Sequence, residues 1–507
     1  MAGLIRLLFI LDSHLPFESD EAIVGLMARH ILYQGERPVF YYGQGYLGPL
    51  EPASAALSFW LFGPSVTALR LAPAIYSVVF VYFTARFALR AFGAPAAVAS
   101  LVYLSLPPLF LLTWSVKARG GYAELIALGA VFLVLVVDLG QEQPTRMWKW
   151  LALGAIGGLA AWTDPLAVVY LVPGGLYLAL AQKARLVHWH LLGAFAAFVA
   201  VSWPMLIANV HSRGATLEQL TGPNVSQSVS LAAYRHNLAA VVRDSLPTLL
   251  GFFEGSSNLA AFSTAKADGP WPLAVATVLA LTLAVGAVLM ALISAGNALR
   301  GRPTPRDLLV WVGACTILLF CASQSEVLYI TEPRYLLPLF ALVPIGGAIW
   351  SRLWSIRGGV AVIALAAVVG FNAFSILSFA PALAAPRLAN QVVDAGNPDL
   401  ARFLDGRQIH AIYGDYWLVY PVAFQSGERI IPSVIDDNLH VGFNRYVPYA
   451  ISADQNEDLA VVVVDGSPAA ARLDAYLVSS GRDYRVEHWH NLEVFEQIRP
   501  QFRPLRV

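Results

Sequence analysis

The chain has 507 residues, 57% of them hydrophobic and only 13% charged, with a mean hydropathy of +0.60. Soluble domains carry about 25% charged residues, so a soluble globule and a disordered chain are excluded. The balance of 33 Lys+Arg against 33 Asp+Glu leaves no basic field to recruit a nucleic acid. Two cysteines, Cys315 and Cys321, share one apolar run; they exclude a disulfide scaffold and read as small packing residues. This is the composition of a polytopic membrane protein.

The chain opens on a short apolar run, Met1 to Leu11, that carries Arg6. It fits a cleavable signal peptide poorly; either Arg6 snorkels or the start site lies downstream of the native one. Residues 12–65 then read as a long loop rich in Gly, Pro and Tyr. Within it Ser19-Asp20-Glu21 opens EAIVGLMARHIL, where Ile23, Leu26, Met27 and Ile31 fall on one helical face and Gly35 supplies the stop. The pattern predicts an interfacial helix, and LEPASAALSFWLFG at 50–63 predicts a second. Apolar runs long enough to cross about 30 Å of hydrocarbon follow. They occupy 66–87, 94–114, 121–138, 150–163, 166–182, 190–209, 271–295, 308–323, 335–350 and 359–380, giving about eleven spans with the first.

Short-loop cations alternate along this series. Arg86 and Arg90, Arg146 and Lys149, Lys183 and Arg185, Arg300, Arg302 and Arg306, then Arg352 and Arg357 fall in every second connection, which places those five in the cytoplasm. Residues 12–65, 115–120, 164, 210–270, 324–334 and the tail from 381 are then outside. The tail changes character: β-type runs (IHAIYG, RIIPSV, LAVVVVDG, YRVEHWH, LEVFEQI) alternate with helical stretches at 397–405 and 467–479. This predicts a small extracytoplasmic α/β domain over 381–507 behind a membrane domain over 1–380.

Ionisable groups at the membrane edge are costly and therefore informative. Four clusters fall on the outer side: Asp20-Glu21; Lys117, Arg119 and Glu124 around Gly120-Gly121; Asp164 before Pro165; and Glu332 with Arg334 and Tyr335. Two basic sites and several carboxylates at one depth suit a phosphate held beside a general base. Each also has a plainer reading. Asp20 and Glu21 suit the positive end of a helix capped by Ser19, Asp164 suits a helix start, Lys117 and Arg119 suit membrane anchors, and Glu332 suits a partner for Arg334. His188 and His190 fall on the cytoplasmic side. His488 and His490 share a strand face as a candidate metal pair, and His211 and His236 lie in the long outer loop. The sequence contains no P-loop, HExxH or GxGxxG motif in its required context and no nucleophile elbow, which disfavours a nucleotide-driven pump.

From Phe17 to Leu71 the sequence resembles the start of the GT-C membrane glycosyltransferases. It is most similar to the branch of protein O-mannosyltransferases and aminoarabinose transferases, which use polyprenyl-phosphate sugars. The ordered features are Asp20-Glu21 after the first span, Gly35 to Pro38, Pro49-Leu50, Phe62-Gly63 with Ser65, and Leu69-Arg70-Leu71. Arg334, Tyr335 and Pro338 match the late Arg-Tyr-x-x-Pro. The resemblance implies that Asp20 is the general base or aligns the acceptor, that Glu21 is its helper or a ligand of a divalent metal, and that Arg334 and Tyr335 hold the lipid phosphate. From the residues themselves, Lys117 and Arg119 are candidates to complete that clamp, and Glu124, Asp164 and Glu332 to shape the pocket. The chain departs from the aminoarabinose transferases at Tyr46-Leu47-Gly48-Pro49, where they carry acidic-Lys-Pro-Pro; this argues against lipid A as acceptor.

The expected activity is inverting transfer of one sugar from a polyprenyl phosphate carrier to a lipid, glycan or protein acceptor outside the plasma (inner) membrane. A lipid-linked-sugar flippase would need charges near mid-bilayer and matched repeats, and neither is visible. A non-catalytic scaffold would have no need of the Asp-Glu and Arg-Tyr motifs.

Overall fold

Apolar periodicity without charge makes long helices, and these build the first three quarters of the molecule. The structure, a computed structural model, describes residues 1–11, 15–141, 146–182, 188–221, 230–251, 286, 289–322, 333–379, 387–388 and 391–504. Among them six helices are long and apolar enough to cross a membrane: Val66–Phe92, Tyr122–Gln141, Pro165–Gln182, Trp189–His211, Arg334–Ile356 and Gly358–Ser378. Met147–Thr163 and Pro305–Cys321, of 17 residues each, occupy two more of the expected spans. The predicted span at 271–295 lies largely outside the described residues, as do residues 222–229 and 252–270 of the loop at 210–270 and the basic connection at 183–187.

Two spans differ from expectation. The run at 94–114 is not one helix but two, Ala94–Ser105 and Leu109–Trp114. Pro107-Pro108 removes two N–H donors and drives Leu106 out of the helical region, to φ −120° and ψ 76°. Arg6, on the Ala2–Leu11 helix, does not snorkel; it is 1% exposed. Its guanidinium donates to Ser77 Oγ at 2.6 Å, to Leu104 O at 3.2 Å and to Ser105 O at 3.4 Å. These carbonyls are the ones orphaned where the Ala94–Ser105 helix breaks. Cys315 and Cys321 are free thiols, half-buried and buried, as packing residues would be.

The five predicted strands form one mixed sheet near the C-terminus, after a two-residue ribbon of β1 (Arg387–Leu388) and β2 (Gln391–Val392). The strands are β3 (Ala411–Gly414), β4 (Ile431–Val434), β5 (Leu459–Val464), β6 (Asp483–Trp489) and β7 (Leu492–Arg499), in the order β4-β3-β5-β7-β6. β3 runs parallel to β4 and β5, while β7 is antiparallel to β5 and β6. The LAVVVV run of β5 is buried throughout, as a strand covered on both faces requires. Helices Pro398–Gly406 and Pro468–Ser479 appear where predicted; Tyr416–Gln425 and Val447–Gln455 were not foreseen.

The Ser19–Arg29 helix forms and continues as a π turn, His30–Gln34, that ends at Gly35 with φ +70°. It is not the amphipathic surface helix predicted, because Glu21 to Ala28 are all buried. The chain wraps it between the Leu50–Phe62 helix and the Tyr416–Gln425 helix. Gly25 permits this approach: a Cβ there would lie 2.5 Å from the Phe424 ring. Ser19 does not cap the helix either; its hydroxyl donates to Tyr416 O at 2.5 Å. At the far end His30 Nε2 lies 2.9 Å from Glu428 Oε2, which ties the helix to the sheet domain.

Candidate active site

Two short segments meet at the start of the buried helix. One is its own first turn, with Glu18, Asp20 and Glu21. The other is the turn at 115–121 between Leu109–Trp114 and Tyr122–Gln141, which presents Lys117 and Arg119. Gly120 and Gly121 reverse that turn at φ +90° and +74°, where a side chain would be strained. The Gly121 N–H then donates to Glu51 Oε2 at 3.0 Å.

The three acids are held differently. Glu21 and Glu18 have fully buried side chains, whereas that of Asp20 is 24% exposed. Glu21 takes a fork from Arg70, Nε to Oε1 at 3.0 Å and Nη2 to Oε2 at 2.9 Å, with Lys117 Nζ at 3.6 Å from Oε2. Glu18 Oε1 lies 3.2 Å from Lys117 Nζ and 3.0 Å from Arg119 Nη1. Asp20 Oδ1 accepts from the Tyr416 hydroxyl at 2.7 Å, and Oδ2 accepts from Arg119 Nε at 3.0 Å. Arg445 Nη2 stands 3.6 Å from Oδ1.

Burial alone raises all three carboxyls. For Asp20 the guanidiniums of Arg119 and Arg445, the Tyr416 hydroxyl and the more distant Arg334 outweigh it and hold the group well below the usual range. For Glu21, Arg70 and Lys117 likewise outweigh burial and lower it. For Glu18 burial wins over Arg119 and Lys117, and its carboxyl is pushed up.

An aromatic wall continues from these charges. Arg119 stacks over Trp114 at 5.5 Å and Trp417 at 6.0 Å. Arg334, half-buried, lies 6.0 Å from Trp114 and from Tyr122 and 5.4 Å from Tyr335, within cation–π range. Asp164 stands within the field of Arg334. Its Oδ1 accepts from Leu166 N–H at 2.7 Å, as a helix start would, while Oδ2 is buried without a hydrogen bond. Burial, against the Leu166 N–H and Arg334, pushes its carboxyl up to about 7.

The structure therefore brings Asp20, Glu21, Lys117 and Arg119 into direct contact and sets Arg334, Tyr335 and Asp164 along the adjoining wall. Glu124 belongs to a second group: fully buried, with no hydrogen bond to either oxygen, it neighbours Glu51. Glu332 lies outside the described residues. Sequence reasoning missed Glu18, Glu51, Tyr416 and Arg445, and it used Arg70 only as part of a motif. A charge inside an apolar span was the available signal for Arg70; nothing local to Tyr416 or Arg445 marks them.

The candidate metal ligand Glu21 is enclosed by Arg70 and Lys117, a cationic surrounding that fits a divalent ion poorly. His488 and His490 do not share a strand face, because His490 lies in the turn after β6. His488 instead comes together with Asp465 and Glu493, with ligand atoms within 4.8 Å of one another at the domain surface.

Residues 47–207 match the model of the dolichyl-phosphate-mannose-protein mannosyltransferase family. The crystal structure of ArnT from Cupriavidus metallidurans bound to undecaprenyl phosphate superposes with a TM-score of 0.63 at 15% identity, covering 97% of this chain and 96% of its own. The apo state of the same protein gives 0.61 at 15% identity, over 95% and 93%. No curated protein sequence matches the chain. The expected resemblance holds: the fold is that of the GT-C glycosyltransferases, a multi-pass helical domain followed by a small C-terminal sheet domain. The family match over residues 47–207 and the fold together support a membrane glycosyltransferase.

Proposed function

We propose that the chain moves a single sugar from a polyprenyl phosphate carrier to an acceptor hydroxyl on the extracytoplasmic face of the plasma membrane, with inversion at the anomeric carbon. The acceptor oxygen attacks that carbon as its bond to the phosphate oxygen breaks. The hydroxyl proton passes to Asp20, and the electron pair leaves with the lipid phosphate. The observation that carries this reading is the position of Asp20. It is the one solvent-reaching carboxylate of the three and stands at the edge of a cation-rich centre. In its ion-pair network Glu18, Asp20 and Glu21 meet Arg70, Lys117, Arg119 and Arg445, three carboxylates against four cations among the described residues. The excess favours an anion.

Arg119 and Arg334, both within 6.0 Å of the Trp114 ring, are assigned to the phosphate, with Tyr335 5.4 Å from Arg334 as its companion. Because charge builds on the phosphate as the bond breaks, such a clamp acts most strongly in the transition state. Lys117, with no side-chain exposure, serves differently: it neutralises Glu18 and Glu21 and so fixes the turn that aims Arg119.

The test is transfer in membranes from radiolabelled polyprenyl-phosphate sugars, comparing wild type with Asp20→Asn at matched expression. A general base contributes about 10²–10⁴-fold, so the variant is expected to lose transfer by at least about a hundredfold. Equal transfer by the variant would make Asp20 a helix-end charge and overturn the reading.

A further inference from the structure

The last domain places a cation in this centre. The Arg445 side chain is 6% exposed, and its Nε is buried without a hydrogen bond. Its backbone is pinned, with the N–H donating to the Tyr420 hydroxyl at 2.7 Å. Its stem crosses Gly43, where a Cβ would lie 3.1 Å from both Cα and Cδ of Arg445. The guanidinium is thus aimed at Asp20 from a fixed base, yet it stops 3.6 Å short, beyond hydrogen-bond distance. A guanidinium carries five donors in a planar fork suited to a phosphate; here Nε has no hydrogen bond, and the group's polar partners are Asp20 and the Tyr416 hydroxyl. Asp20 is meanwhile faced by Arg119, Arg445, Arg334 and the Tyr416 hydroxyl, with Glu18 as the opposing charge. A carboxylate so surrounded is a weak acceptor of a proton.

We propose that Arg445 is a ligand of the donor lipid's phosphate, held on Asp20 until the phosphate arrives, and that phosphate binding draws Arg119 and Arg445 off Asp20 and frees the carboxylate for the acceptor hydroxyl. This rests on the reading of Asp20 given above. The exchange conserves ion pairs, two guanidinium–carboxylate contacts giving way to guanidinium–phosphate contacts, which are often bidentate. Phosphate binding and base release become one event, so Asp20 stays paired while no lipid phosphate is bound.

The exchange makes an unusual demand: carboxylate and phosphate compete for the same two cations. Binding of undecaprenyl phosphate to the purified full chain in lipid discs tests it. Asp20→Asn, which removes the competitor, is expected to bind about three- to tenfold more tightly, and Arg445→Gln about tenfold more weakly, with Arg445→Lys between them. Undecaprenol, which lacks the phosphate, is expected to bind all four proteins alike, and inorganic phosphate is expected to compete only weakly. Unchanged or weaker binding by Asp20→Asn overturns the exchange. Unchanged binding by Arg445→Gln, or an equal loss for undecaprenol, removes Arg445 as a phosphate ligand. Inorganic phosphate matching the lipid would overturn a lipid headgroup as the source. Transfer by Asp20→Asn at the wild-type rate would instead sink the proposed function, whatever the binding shows.

Discussion

The two ends of the turn around residues 115–124 keep buried carboxylates in opposite ways. At one end Glu21 is matched by the Arg70 fork and by Lys117. At the other, among the described residues, Glu51 and Glu124 have no cation: Glu51 receives the Tyr41 hydroxyl and the Gly121 N–H, and Glu124 receives no hydrogen bond. Matching lets a buried group stay charged and fix a helix start. Without a cation, burial, set against the Tyr41 and Gly121 donors, pushes the Glu51 carboxyl up to about 7, where it holds a proton over much of the accessible pH range. One end is built to present charge and the other to suppress it.

The sharpest way to break this contrast is Arg70→Met. It strips Glu21 of its hydrogen-bonded partner and leaves only Lys117, 3.6 Å away and shared with Glu18, to face it in the interior; breaking a buried pair in this way costs about 3–5 kcal/mol, and the melting temperature in detergent is expected to collapse. Adding Glu21→Gln to the same chain is expected to recover most of the loss. A single variant that melts normally would mean that Glu21 is not held as an ion. Next in size is Gly25→Ala, whose Cβ would sit 2.5 Å from the Phe424 ring. Overpacking of this kind costs about 1–3 kcal/mol. Because the strain falls between the helix and the sheet domain, limited proteolysis is expected to release that domain more readily; an unchanged digestion rate would show that the two elements slide apart freely.

The smallest effect lies at the unmatched end and depends on pH. Glu51 ionises near 4.5 when unfolded and near 7 when folded. Between these values the folded state binds more protons, so stability falls as pH rises through the window and levels off above it. Glu51→Gln is expected to flatten part of that decline, worth about 1–2 kcal/mol at pH 8 and close to nothing at pH 4. Asp164, also near 7 when folded, supplies a slope of the same sign that this variant leaves in place. A pH–melting profile that Glu51→Gln does not alter would place a hidden cation beside Glu51.

What could be read before the structure follows the same physics. Asp20, Lys117, Arg119 and Arg334 were visible because charge at a membrane edge stands out against an apolar background. The strands were visible because IHAIYG and LAVVVV break the helical pattern. Arg6 was misread because a lone Arg in a short run resembles a snorkelling anchor, and only the carbonyls freed at Leu104 and Ser105 reveal its use. The span at 94–114 was read through Pro107-Pro108 because hydropathy has no term for a missing N–H. Tyr416 and Arg445 stayed hidden because their chemistry exists only after the sheet domain docks, and composition does not record which distant segments meet.

That docking also orders events in time. The hydrogen bond from Tyr416 to Asp20 joins residues 396 positions apart. At a synthesis rate of roughly 5–20 residues per second, about 20–80 s separate their emergence from the ribosome. Through that interval the Ser19–Arg29 helix lacks the partner that covers Gly25, and the acid at its head lacks the Tyr416 hydroxyl. The proposed base is among the first residues made and among the last to be completed, so a chain cut short before residue 416 carries Asp20 on a helix that lacks its Tyr416–Gln425 cover. On the proposed reading, every partly made copy lacks the completed centre until its final quarter arrives.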